Sequence, residues 1–470
     1  VRARRATMVA VKRAAVCAEG REGEGAPATK VLKVASNDPT LGAKAKDADA
    51  ASSAKEEGLP TEPTSAMVVR TVIRENHGDV IRKVAFNRTL PPRDEKAEGK
   101  ESFCGFGESA GNVFATVGGN QAAVYDGRNF GNYVGLVVHY THDEEGVELT
   151  TCCWADARGF TKHPKGDLHL CLGASSGDVL VLSVAEAAIT HLLKGHAAPI
   201  TQLATSPARP GYLLSLSTKG GEVKLWDMYQ ERCLATFEVG SAVQSIAWSP
   251  DGAWFVAGTA TGGLQKWPVE DPKALSEGEK RVKRAASENL KAAIAGLRHR
   301  EAVDAIRFAS TSTCLSKSVD GHVALWDWAA GKSLGAWDVP GSSMRCYSDL
   351  DVTQDGKYFV VGNAKGAVFV FRTREEEEEA KERGSTHTTA EAASKGEPVA
   401  RLEAYKQKDP VRCCAISDDH RDVLSSLGDA FTFRYQHFKP KNNPKTKQPE
   451  KKEEAEAAAA GEEKENTASA

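Results

Sequence analysis

Residues 211–227 read GYLLSLSTKGGEVKLWD. An apolar run, a Lys-Gly-Gly turn and a second run alternating through Val223 and Leu225 to Trp226-Asp227 fit two antiparallel strands joined tightly. One such hairpin belongs to many folds. What decides the architecture is whether it recurs.

It recurs along the chain, with an aromatic or aliphatic residue at the Trp226 position. The pattern ends NQAAVYDG at Tyr125, GDVLVLS at Leu182, GGLQKWP at Trp267, HVALWDW at Trp326, GAVFVFR at Phe371 and AFTFRYQ at Tyr435. With Trp226 this makes seven endings, spaced 57, 44, 41, 59, 45 and 64 residues apart by subtraction. Three spacings match the roughly 40–45-residue period of a WD40 blade. The longer ones require inserts, which are visible as polar GFTKHPKGD and THDEEG segments, a Lys/Glu/Ala-rich stretch at 273–300 and an acidic one at 373–398.

Upstream of each ending lies a second strand pattern: IRKVAFN, TTCCWAD, ITQLATSP, VQSIAWSPDG, VDAIRFAS, YSDLDVTQDG and VRCCAISDD. The Ser-Pro-Asp-Gly and Thr-Gln-Asp-Gly stretches supply tight turns between neighbouring strands. Four short strands per unit, seven times over, describe an all-β, seven-bladed WD40 β-propeller, whose radial repetition leaves only short, protected sheet edges. AMVVRTVIRE at 66–75 has no unit of its own and is expected to be the outer strand closing the last blade onto the first. His196, Ser217 and Trp226 stand where such blades carry a His-Ser-Trp hydrogen-bonded network. The turn Asp of that network is replaced by Lys219, so it is expected to be incomplete. With Asp227, Trp326 and Asp327, these residues are structural.

The expected organisation is a disordered tail at 1–65, a propeller at 66–438 and a disordered charged tail at 439–470. Both tails are rich in Ala, Lys and Glu and poor in aromatics. The Arg/Lys-rich first 18 residues are compatible with an organelle transit peptide, with Met8 a candidate start. RARR, VKR and KPKNNPKTK also fit nuclear-import signals or nucleic-acid arms. The stretch 276–300 carries helix formers and is locally basic at Lys280–Arg284, which suggests a helix-containing loop. The TREEEEEAKE run fits either a solvated loop or a shield over a positive ligand site.

A formal net charge of −3 gives no global basic excess for nucleic-acid binding, and no run of about 18 apolar residues offers a membrane span. Ten cysteines include the doublets Cys152-Cys153 and Cys413-Cys414, but no CxxC pair. Adjacent strand residues point to opposite faces, so buried reduced thiols, and no metal or other cofactor, are the expectation. The chain contains no GxxxxGK[ST], GxSxG or HExxH. An enzyme built on this fold would need polar residues converging on the central channel; binding is its default use.

Beyond these features, several peptides resemble in order and spacing the EED/extra sex combs family, the propeller subunit of Polycomb repressive complex 2. They include VFATVGGN at 113–120, TTCCW at 150–154, ITQLATSPARPGYLLSLS after Gly195-His196, CLSKSVDGHVALW at 314–326, YFVVGNAKGAVFVF at 358–371 and DPVRCCAIS at 409–417. The resemblance covers roughly 66–437. It implies a nuclear, non-enzymatic chromatin scaffold that holds a helix of a SET-domain histone methyltransferase subunit in a groove on one face. On the other face it implies a histone H3 trimethyl-lysine bound in an aromatic cage, because a desolvated quaternary ammonium is held by cation–π attraction. The cage positions fall on Arg82, Thr150, Cys346 and Tyr347, so only Tyr347 is aromatic and the cage is degenerate. Phe86 and Trp154 are the nearby aromatics that would complete a shifted one, and Arg412 matches an arginine of the peptide channel. The origin-recognition-associated protein with leucine-rich repeats and a WD propeller shares the FATVGG-like and SKS-like stretches. An adaptor of an origin-recognition or ubiquitin-ligase complex is therefore the alternative.

Overall fold

The computed structural model describes residues 62–437 apart from 76–79, 90–111, 128–133, 158–159, 161–165, 241–242, 271–279, 283–287, 290–298, 329, 344–346, 374–395, 405–407 and 429. Of the tails expected at 1–65 and 439–470, residues 1–61 and 439–470 lie outside the described residues, as do the acidic run after Thr373 and Cys346, whereas Glu62–Ser65 is described and Glu62 pairs with Arg372.

The described residues form seven sheets, one per repeat, in the order of the chain, antiparallel except for one added edge strand in blade 3. The inner strands of blades 1 to 7 are Ile81–Phe86, Leu149–Ala155, Gln202–Thr205, Val243–Trp248, Val303–Phe308, Leu350–Val352 and Val411–Ile416. Each is followed by two further strands and, in blades 1 to 6, by an outer one, as in blade 3, where Tyr212–Ser217, Glu222–Asp227 and Arg232–Glu238 follow Gln202–Thr205. The opening hairpin is thus the middle of a blade, with Leu213 opposite Trp226. Blade 7 has no outer strand from its own repeat. Val68–Arg74 supplies it, antiparallel to Phe431–Gln436, so the ring closes as the AMVVRTVIRE stretch implied.

Burial follows position in the blade. Second strands such as Val113–Gly118 and His169–Ala174 are buried throughout, because both sheet faces are covered by neighbouring blades. An outer strand such as Ala400–Glu403 alternates buried and exposed. The apolar core is accordingly not one mass but seven clusters, each filling one seam between successive blades. One joins Val124 and Trp154 of blades 1 and 2, and the last joins Leu424 and Phe114 across the closure. Tight turns between second and third strands need left-handed residues. Gly262 has φ +79°, and a Cβ there would lie 2.0 Å from the His299 carbonyl oxygen, so only glycine fits.

The helix-containing loop expected at 276–300 lies mostly outside the described residues. Its described part holds no helix. Lys280–Val282 instead adds in parallel to the outer strand of blade 3, making that blade five-stranded, and Glu288–Asn289 forms the short outer strand of blade 4.

Candidate binding face and central channel

Five inner strands share one irregularity. The pairing register slips between Ile81 and Lys83, Leu149 and Thr151, Val243 and Ser245, Val303 and Ala305, and Val411 and Cys413. The skipped residues are Arg82, Thr150, Gln244, Asp304 and Arg412. A β-bulge leaves its extra residue unpaired and re-aims it. The bulge therefore sits at the start of each inner strand, on the face where one blade hands over to the next. Three residues singled out from the sequence, Arg82, Thr150 and Arg412, are bulge residues of adjoining blades 1, 2 and 7.

Their surroundings differ. Arg82 donates from Nη2 to Glu148 at 2.7 Å, both side chains well exposed. The Thr150 hydroxyl lies 2.6 Å from the Ile200 carbonyl and 3.0 Å from that of Gly173, so it fastens blade 2 to blade 3. Tyr347 is 58% exposed and Arg412 is exposed. Phe86 and Trp154 sit at the far ends of their strands and are buried. Phe86 packs edge-on against Phe114, and the Trp154 indole donates to the Ala85 carbonyl at 3.0 Å. They belong to the core and line no cage with Tyr347.

The blade network also needs one correction. His196 Nε2 and Trp226 Nε1 meet on Ser215, at 2.6 and 2.8 Å, and not on Ser217, whose hydroxyl donates to the Ala198 carbonyl. Both serines face the same side of the strand, but Ser217 stands at the turn while Ser215 lies one pleat deeper, level with the indole. His196 Nδ1 is buried without a partner, which is the incompleteness that Lys219 implied. Blade 5 shows the full version: Trp326 donates to Ser316, Ser316 meets His299 Nε2 at 2.6 Å, and His299 Nδ1 meets Ser318, which donates to Asp320. Burial, with positive charge nearby, pushes both imidazoles down to about 4. Asp227 and Asp327 cap the turns that follow them, accepting from the Tyr229 and Ala330 amides.

Inside the ring lies a cavity of about 550 Å³, lined by the inner strands. Charged residues converge on it that the sequence reading did not single out. Asp349 of blade 6 bonds Lys83 of blade 1 and accepts from Arg307 of blade 5 at 2.9 Å. Arg88, just past the inner strand of blade 1, grips Asp351 with two bonds of 2.8 and 3.0 Å, Asp418 at 2.9 Å and the Ile416 carbonyl at 2.7 Å. Burial pushes the Asp349 carboxyl up, but Lys83 and Arg307 outweigh it and hold the group below the usual range. Burial likewise works against the Arg88 charge, and Asp351 and Asp418 overcome it. These groups are committed to one another across four blades, which makes them a bolt through the ring. The legible signal was a charge in or beside the inner strands, at Lys83, Arg307, Asp349 and Asp351. Among the described residues, no group of three or more His, Cys, Asp and Glu could hold a metal ion. No described helix is long and apolar enough to cross a membrane.

Comparison with known proteins agrees with this architecture. The family WD domain, G-beta repeat matches residues 231–267, which run from the outer strand of blade 3 through the third strand of blade 4. The chain is 23% identical over 345 residues to the Polycomb group protein FIE2 of Zea mays, covering 69% of this chain and 83% of that protein. It is 23% identical to the Polycomb group protein FIE1 of Oryza sativa subsp. japonica, covering 69% and 84%. Among solved structures, a chain of Chaetomium thermophilum Polycomb Repressive Complex 2 bound to GSK126 superposes with a TM-score of 0.60 at 14% identity, over 79% of this chain and 98% of that one. A chain of the Mitotic Checkpoint Complex superposes with a TM-score of 0.53 at 14% identity, over 87% and 99%. Blade count, closure and the comparisons agree: the chain is a seven-bladed WD40 β-propeller, similar in sequence to Polycomb group proteins.

Proposed function

We propose that the protein is a nuclear, non-catalytic scaffold of a Polycomb-type histone H3 methyltransferase complex, with residues 66–438 as its propeller. The observation that carries this reading is the likeness to two Polycomb group proteins over 69% of the chain, which extends far beyond a single repeat. The paired state of the channel charges supports a structural use of the ring. Its principal partner is a SET-domain subunit, a helix of which docks in a groove on the face opposite the bulges.

The bulge face is read as a methyl-lysine site that has lost its chemistry. A quaternary ammonium needs several aromatic faces, and Tyr347 is accompanied here by a guanidinium at Arg82 and a hydroxyl at Thr150 that is already spent on blade 3. A fixed positive charge beside a cation site opposes binding. Cys346, the fourth position, adds no ring. The histone H3 tail, if bound, is held through its other side chains.

The test is capture from nuclear extract on the full-length chain, with mass spectrometry of the retained proteins. Recovery of a SET-domain methyltransferase is the expected result. Recovery of origin-recognition or ubiquitin-ligase subunits in its place would make the likeness one of ancestry only.

A further inference from the structure

The seam between blades 2 and 3 holds sulfur in an arrangement the scaffold role does not use. Cys153 of the inner strand and Cys171 of the second strand stand directly opposite in the register of blade 2. Directly opposed residues place their side chains on one face, with Cβ atoms about 5 Å apart. The Cys171 thiol is within hydrogen-bonding reach of Cys153. Cys171 Sγ also approaches Met228 Sδ, to 3.4 Å. Met228 comes from the turn after Trp226-Asp227 in blade 3, so the third sulfur belongs to a different blade.

We propose that Cys153, Cys171 and Met228 form a soft-metal site suited to a monovalent copper ion. Two thiolates and a thioether select Cu(I) over harder cations, which prefer oxygen and imidazole. A metal–sulfur bond of about 2.3 Å, as in zinc thiolates, sets trigonal sulfurs about 4 Å apart, so the 3.4 Å pair needs only a small outward shift. Loading would release the thiol protons, two per ion if both thiols ionise. The walls are apolar: Val181, Leu203, Leu213 and Trp226 are all buried. Entry is provided because Cys153 is only partly buried and lines the central cavity. Cys233 packs at the edge of the same cluster, but its sulfur is turned to the Ala235 carbonyl and the Thr236 hydroxyl, so it is not a ligand in this arrangement.

The test is anaerobic titration of the reduced full-length protein with Cu(I) against a colorimetric Cu(I) chelator, with X-ray absorption on the loaded sample. The expected result is one copper equivalent withheld from the chelator in a sulfur-only shell. Cys171→Ser should abolish it. Met228→Leu, which conserves volume and folding, should weaken it at least tenfold, and Cys233→Ser should leave it intact. No withheld equivalent would overturn the proposal. So would copper withheld equally by wild type, Cys171→Ser and Met228→Leu, which would mark adventitious binding to the other thiols only.

Discussion

Single residues in this protein act mainly by what they leave behind when removed. Asp349 is shared by Lys83 and Arg307, both largely shielded, so Asp349→Ala strands two cations at the channel wall. Breaking a buried ion pair from one side costs about 3–5 kcal/mol, and partial exposure of these groups places the expected loss near the lower figure. Urea midpoints of the two proteins measure it; a loss under about 1 kcal/mol would mean that water replaces the bolt. The two network histidines make a pH prediction. Their folded pKa values of about 4 lie below the unfolded value of about 6.5. The unfolded chain therefore binds more protons between these limits. The stability is fully present above pH 6.5 and is lost as pH falls toward 4, at up to about 1.4 kcal/mol per unit for each histidine. Around His299, the charges of His322 and Lys317 work in the same direction and Asp320 opposes them. Comparing unfolding at pH 7 and pH 5 for wild type and His299→Asn tests this: the variant should show the shallower pH slope.

Among the elements, the strand Val68–Arg74 has a disproportionate role, because it alone covers the outer edge of blade 7. Its end is pinned by Glu75, whose buried carboxylate accepts from the hydroxyls of Thr116 at 2.9 Å and Tyr125 at 2.6 Å in blade 1. Burial pushes that carboxyl up, and the two hydroxyls pull it back without restoring its ordinary value. A chain beginning after Glu75 loses both the strand pairing and this latch, and it exposes the edge of Phe431–Gln436. The expected outcome is a thermal transition at least 10 °C lower, since a loss of about 2–4 °C per kcal/mol is typical for larger domains, together with self-association through the bare edge. Calorimetry and light scattering would read both. An unchanged transition would show that the seam clusters alone close the ring. At this scale the sequence was legible in the strands, while the sheet pairing of Lys280–Val282 and Glu288–Asn289 within the insert at 276–300 was not read from it.

For the whole molecule, the ring of seams explains why binding is its natural use: the blades are fixed by their neighbours, and their connecting loops are free to vary. The prediction at this scale concerns the bulge face. A peptide carrying trimethyl-lysine should bind no more tightly than its unmethylated counterpart, and Arg82→Phe together with Thr150→Tyr should raise the affinity for the methylated form alone. Fluorescence anisotropy with both peptides decides it; a methyl-dependent affinity in the unaltered protein would overturn the degenerate-cage reading.

The seven-fold pattern, the order of strands and the closing role of residues 66–75 were written in local chemistry: alternation, turn residues and a period near that of one blade. Such information is carried by neighbours in the chain, which is why it could be read without coordinates. The identity of the network serine, the bolt formed by Lys83, Arg88, Arg307, Asp349, Asp351 and Asp418, and the burial of Phe86 and Trp154 depended on contacts between blades. Those partners lie as many as 330 residues apart, and only the closed ring brings them within reach of one another.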